Sequence, residues 1–226
     1  MRADATHETL RAARRRETAA AVGAVLELQR AEVLHRVKTG ASTLVASAWN
    51  GKLRDALFPQ NQTTAREIGW RVAKDLGDKR SNFDPDEMDP WLLADATAAA
   101  EAWNDRTEAE LEAALVEAEE SDGVIVAAVA AAAVFDLALG SRLDRFSQGV
   151  VTSSGNFGGH HAAESNGAIS KRWNVNSKNP RSSHTRMRGL LVPMDEKFPN
   201  GLRWPGDKKG GADETAGCKC SMTFIL

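Results

Sequence analysis

Apolar residues return every three or four positions through the first two-thirds of the chain and fall into short blocks afterwards, so two kinds of structure are expected. From about Ala3 to Gln148 the pattern is helical almost throughout. Val22, Val25, Leu26, Val33 and Val37 line one stripe of a long first helix whose other faces carry Arg and Glu, and Gly40 is its expected end. Leu44, Val45, Ala48 and Leu53 continue a second segment to Phe58. Pro59 predicts a stop there, because proline lacks an amide hydrogen and its ring crowds the preceding turn. A third helix is expected after a Thr63-Thr64 cap, with Ile68, Val72 and Leu76 inward, followed by a polar loop from Gly77 to Asp89 that contains Pro85.

Asp89-Pro90 predicts the next helix start: Asp accepts orphan amide hydrogens and Pro occupies the first turn without losing a needed donor. That helix carries Leu92, Leu93, Ala96, Ala100 and Trp103. Thr107, with Glu110 three residues on, predicts a fresh cap for a separate segment bearing Leu111 and Leu115. Ser121 or Asp122 then caps the most apolar helix, through Ile125, Val129, Phe135, Leu139 and Leu143. Its run from Val124 to Phe135 is closed by Asp136, short of the ~20 apolar residues of a membrane span. A buried, Ala-rich helix is expected instead.

At Gly149 the composition changes. Residues 149–167 are rich in Gly, Ser and Asn, which predicts loop. Ala168-Ile169, Leu190-Leu191-Val192 and Met222-Thr223-Phe224-Ile225-Leu226 are short and apolar enough to be strands. The expected fold class is therefore a mainly α N-terminal region, a helical bundle or extended helices over residues 1–148, followed by a small irregular α+β module over 149–226.

Composition refines this picture in two ways. A chain of 226 residues with 42 % hydrophobic residues can bury a core, and a net charge of -2 excludes a globally basic nucleic-acid binder. Yet residues 171–226 hold 11 Lys and Arg against 5 Asp and Glu, giving +6, so residues 1–170 carry -8. A basic C-terminal module that meets DNA or an acidic protein ring, with Lys171 and Arg172 as phosphate contacts, is one reading of that asymmetry, and solvated surface is the other. In the N-terminal half Arg11, Arg14, Arg15 and Arg16 form the one tight basic cluster, read either as a contact with DNA phosphates or as a solvated helix end. Two cysteines one residue apart, with no signal-peptide pattern, suit a reducing cytoplasm.

The candidate chemistry lies in the last third, where Lys171-x-Trp173, Arg181-x-x-His184, Phe198, Pro205-Gly206-Asp207 and Cys218-x-Cys220 follow one another. This order resembles the C-terminal signature of the Mu F-like minor head proteins of tailed phages, over about residues 146–220. Phe157-Gly158 and Ala162-Ala163-Glu164 fall where that family has a helix-proximal segment. The chain departs from the family's Asn-Cys-Arg-Cys ending with Gly217-Cys218-Lys219-Cys220. The resemblance implies a minor head component that associates with the portal protein, and with major capsid or scaffold proteins, during assembly, and that acts in some phages on DNA packaging or ejection.

Read for chemistry alone, the same residues leave several alternatives open. Cys218, Cys220 and His184 offer thiolate and imidazole ligands to zinc, although paired zinc cysteines usually stand two to four residues apart and a fourth ligand would have to come from His160, His161 or Asp207. Packed or free thiols are the competing reading. His160 or His161, Asn174 or Asn176, and His184 stand in the order of a His-Asn-His metal-dependent nuclease. An ADP-ribosyltransferase is disfavoured, since Glu117-x-Glu119 precedes Thr152-Ser153-Ser154. Gly155-Asn156-Phe157-Gly158-Gly159 lacks the Lys-Ser or Lys-Thr of a phosphate loop. In the structural reading, Arg181 and His184 make fixed hydrogen bonds to backbone carbonyls or to Asp207, Trp173 and Phe198 build a small core, and Pro205-Gly206-Asp207 is a turn, with no catalytic residue.

Overall fold

The computed structural model describes residues 2–41, 47–77, 82–119 and 124–226, with backbone only at 2–6 and 212. Leu44, Val45 and the Ser121 or Asp122 cap lie outside the described residues. The protein is mainly helical with a small antiparallel sheet near its C-terminus, as the patterning predicts. Helices α1 (Arg2–Thr39), α2 (Ser47–Asp75), α3 (Asp89–Glu119), α4 (Val124–Leu137) and α5 (Leu143–Ser165) precede strand β1 (Ser170–Asn174). Helix α6 (Ser182–Met187), strand β2 (Leu191–Pro193), helix α7 (Gly211–Thr215) and strand β3 (Ser221–Ile225) follow.

The described chain forms two compact units, each assembled from separate stretches: residues 1–18, 60–92 and 145–226 make one, and residues 19–59 and 93–144 make the other. The expected boundary near residue 150 falls inside α5. In the second unit, Val33, Val37, Trp49, Leu111, Ala131, Val134 and Phe135 form a buried cluster. The stripe on α1 is inward as expected, with Val22, Leu26 and Val33 wholly buried, and α1 ends against Gly40 at φ 67°.

Several local expectations fail, each for a packing reason. Pro59 does not end a helix: α2 runs through it, and the Thr63-Thr64 cap does not form. Leu57, Asn61, Thr64, Ala65 and Ile68 are all buried along this helix, so tertiary contact overrides the missing hydrogen bond. Thr107 likewise starts nothing. Its hydroxyl donates back to the Trp103 carbonyl at 2.9 Å and accepts from Arg142 Nη2 at 2.9 Å, while Arg142 also donates to Glu110 and lies over the Trp103 ring. Desolvation lowers the Arg142 pKa.

α3 does begin at Asp89, but the cap sits earlier. Asp84 accepts from the Asp86 amide at 2.9 Å to start a single 3₁₀ turn, Pro85–Met88, that runs on into α3. The apolar helix is not buried as expected. Ile125 is 81 % exposed and Val129 65 %, while Phe135 and Leu143 are inward. The helical stretch Val124–Ser165 is long and apolar enough by composition to cross a membrane, yet it breaks at Gly140, whose φ/ψ of -87°/-124° is not helical.

The largest departure is within residues 149–167, expected as loop: only Asn166-Gly167 form a turn, and up to Ser165 the segment is the second half of α5. Its glycines are contact points within the first unit. A Cβ on Gly158 would lie 2.2 Å from the Ala65 carbonyl oxygen of α2, and one on Gly155 would lie 2.5 Å from Ile68 Cδ1. Close helix approach, not flexibility, is what these residues supply. The sheet has the order β2-β1-β3, antiparallel throughout, with Lys171 opposite Val192 and Phe224 and with Trp173 opposite Met222. The Ala168-Ile169 pair precedes β1 rather than forming it.

Candidate functional site

Alternation along β1 decides where its signature residues go. Lys171 and Trp173 point into the unit and Arg172 points out. Trp173 is wholly buried and joins Met187, Val192, Phe198, Leu202, Trp204, Cys218, Cys220 and Met222 in one core cluster. Phe198 meets it edge-on at 5.0 Å and His184 at 5.3 Å between centroids. Trp173 and Phe198 thus form the small core expected of them.

α6 is only six residues long, yet it places His184 beneath that ring, and the chain returning from α7 to β3 delivers both cysteines to the same spot. His184 Nδ1 lies 3.4 Å from Cys220 Sγ and 3.7 Å from Cys218 Sγ. The opposite ring nitrogen, Nε2, is 2.9 Å from a carboxylate oxygen of Glu214 on α7. His184, Cys218 and Cys220 are each at most 2 % exposed. Sequence reasoning identified these three but missed Glu214, because only the fold brings α7 to α6.

The electrostatics follow from crowding two thiols and an imidazole together. Cys220 is pulled down to about 5 by a hydrogen bond from Cys218, helped by His184 and the Trp173 indole and opposed by burial. Cys218 is pushed up by sharing that bond and by its own burial. The His184 pKa is raised, first by the Cys220 hydrogen bond and further by Glu214. The group is therefore suited to a single negative sulfur facing a positive ring, or to a cation held between them.

The remaining signature residues fasten this site. Arg181 donates to the Ala216 carbonyl, the expected kind of partner, whereas His184 is bonded to Glu214 and not to Asp207. Asp207 is buried and accepts from the Arg203 and Lys209 amides, each at 3.1 Å, so it closes the turn that Pro205 and Gly206 begin. Gly206 has φ 85°, and a Cβ there would lie 3.0 Å from the Ser153 amide nitrogen on α5. Asn156, which sequence reasoning passed over as loop, ties the pieces together. Its Nδ2 donates to the Pro205 carbonyl at 2.8 Å and the Cys220 carbonyl at 3.0 Å, while its Oδ1 accepts from Arg11 at 2.8 Å.

Lys171 is wholly buried: its ammonium donates to the Met194 carbonyl at 2.9 Å and lies 3.3 Å from His160 Nε2. It has no surface from which to touch a phosphate, which corrects its place among the nucleic-acid candidates. Arg14 is engaged by Glu17 at 2.7 Å and by Glu67 at 3.4 Å, and Arg15 donates to Gln148 at 3.4 Å. Arg16 and Arg172 are exposed.

The nuclease-like set is not gathered. His160 faces Lys171 and Trp204, His161 faces Glu87 and Ser165, Asn174 and Asn176 bond to Thr223 and Ser221, and His184 faces the thiols. Neither His160, His161 nor Asp207 joins the cysteines. Among the described residues, His184, Cys218 and Cys220 are the one group of three or more metal-type ligands in mutual reach. Thr152-Ser153-Ser154 lies within α5, on no strand. Comparison with known protein families, characterised proteins and solved structures finds no match to this chain.

Proposed function

We propose that the protein is a non-enzymatic minor head protein of a tailed bacteriophage, made in the host cytoplasm and acting beside the portal during capsid assembly. The observation that carries this reading is convergence. Lys171, Trp173, Arg181, His184, Phe198, Pro205-Gly206-Asp207, Cys218 and Cys220 span half a hundred positions, and each takes a separate, specific place in one small fold around Trp173. Short motifs matched by chance have no reason to meet. The convergence supports a resemblance of architecture, and it makes the signature a device for holding that architecture together.

The exposed apolar positions of α4 support a partner-binding role. Ile125, Val129 and Leu137 are 81 %, 65 % and 71 % exposed, an arrangement that suits docking on another head component. Portal, major capsid and scaffold proteins are the partners proposed, with phage DNA as a further contact. The test is quantitative mass spectrometry of gradient-purified particles, comparing empty procapsids with filled virions against the portal as internal standard. Recovery of the chain in particles at a fixed ratio to the portal is the expected result. Its absence from both kinds of particle would overturn the reading.

A further inference from the structure

We propose that His184 Nδ1, Cys218 Sγ and Cys220 Sγ form a metal site that takes zinc, with Glu214 as the carboxylate that orients its histidine. The site is independent of the head-protein reading. The geometry points to it first. Zinc bonds of about 2.3 Å to sulfur and about 2.0–2.1 Å to nitrogen, opened at a tetrahedral angle, separate the two ligand atoms by about 3.5 Å, and at a trigonal angle by about 3.8 Å. Of the two N···S distances, 3.7 Å falls within that range and 3.4 Å lies just below its lower end. All three ligand atoms lie within 4.8 Å of one another.

Two further observations point to a cation. Imidazole binds a metal through an unprotonated nitrogen, and the carboxylate of Glu214 at Nε2 fixes the proton there, leaving the Nδ1 lone pair toward the sulfurs. The buried indole nitrogen of Trp173 is aimed at Cys220 Sγ as a hydrogen-bond donor, the outer-shell contact that a metal-bound thiolate takes. Among the described residues no fourth side chain enters the group, so the remaining position of a tetrahedral ion falls to water or another small ligand. The one-residue Cys-x-Cys spacing works because the second cysteine ends the approach to β3 and the exposed Lys219 between them points away.

A competing use of the same triad is nucleophilic, since a Cys-His-Glu line is also that of a thiol hydrolase. Cys220 is 1 % exposed, which leaves a substrate no path to its sulfur. Enclosure suits an ion instead.

The experiment uses the full chain produced in zinc-supplemented medium, with zinc measured by elemental mass spectrometry and the metal then exchanged for cobalt(II). One zinc per chain and a thiolate-to-cobalt charge-transfer band are expected. Cys218→Ser and Cys220→Ser each lose stoichiometric zinc. Because those changes also risk the fold, Glu214→Gln is the second arm: it keeps three ligands and an acceptor for Nε2 but removes the charge. It should weaken zinc binding about 10–100-fold with an unchanged circular dichroism spectrum. A folded wild-type chain that carries no zinc and gives no thiolate band with cobalt would overturn the site. So would one zinc per chain retained in Cys220→Ser, or Glu214→Gln binding zinc as tightly as the wild type.

Discussion

Lys171 is a buried cation whose ammonium faces a neutral imidazole and a carbonyl rather than a carboxylate. Burial first, then the Lys171 and Arg203 charges, hold the His160 pKa down at about 4 from its ordinary 6.5. Burial and Arg203 bring Lys171 down to about 8, against the opposing pull of Glu164, Asp195 and Asp207. The sign of the consequence is fixed by linkage. Between pH 6.5 and about 4 the unfolded chain binds a proton at position 160 that the folded chain refuses, so this group removes stability as pH falls through that window. His160→Gln keeps an acceptor for Lys171 and cannot titrate. In urea unfolding series, its deficit relative to wild type should shrink as pH drops from 6.5 towards 4, and a constant deficit would refute the neutral-imidazole assignment. For Lys171 the unfolded chain holds the extra proton between about 8 and 10.5, so stability attributable to this residue should rise with pH across that interval, and Lys171→Met should abolish the rise. The sequence announced Lys171 and Trp173 as special by their place in a signature. It carried no sign of burial for the lysine, because a cation is placed inside only when a carbonyl and an imidazole arrive from elsewhere in the fold.

At the level of elements, the legible and illegible parts divide by what fixes each one. The α1 stripe, the Gly40 stop, the α3 start and the two later strands could be read from local period and turn chemistry, since those are set within a few residues. α5 and the passage through Pro59 could not. Four glycines and three serines or threonines between positions 149 and 159 carry a helix penalty of several tenths to about 1 kcal/mol each, and packing against α2 and the C-terminal segment offsets it. That account separates two alanine substitutions on the same helix. Gly158→Ala drives a methyl to 2.2 Å from a backbone oxygen that cannot rotate away, and should cost about 1–3 kcal/mol or more. Gly149→Ala meets nothing closer than the Thr215 carbonyl oxygen at 3.7 Å, and should instead stabilise by about 0.5–1 kcal/mol through the unfolded chain. Thermal unfolding of both variants checks the pair, and equal effects would mean that the glycines serve flexibility after all. The Cys-x-Cys pair and His184 were legible by residue type, while Glu214 and Asn156 were not, because their roles depend on α7 and α5 meeting chain thirty or more residues away.

At the level of the whole molecule, the C-terminal signature does not belong to a C-terminal domain. The compact unit that contains it also draws in residues 1–18 and 60–92. Those stretches contribute more than cover. Arg11 donates to the buried Asn156, which in turn holds the Pro205 and Cys220 carbonyls, and Trp91 stacks on Phe157 at 3.9 Å and meets Trp204 at 5.8 Å. Ala65 and Ile68 fill the space that the α5 glycines leave. A fragment of residues 149–226, cut where composition changes, would expose the glycine face of α5, strand Asn156 without its arginine and open one side of the Trp204 cluster. The fragment should therefore give a poorly dispersed amide spectrum and no cooperative thermal transition, with or without added zinc, whereas the full chain gives both dispersion and a transition. A cooperatively folding 149–226 fragment would show that the signature is a free-standing module and that its contacts with α1, α2 and Trp91 are secondary. The composition shift at Gly149 marks a change in how the helix is packed, not a place where the chain can be divided, because a sequence segment is a domain only if its buried surface is satisfied within it.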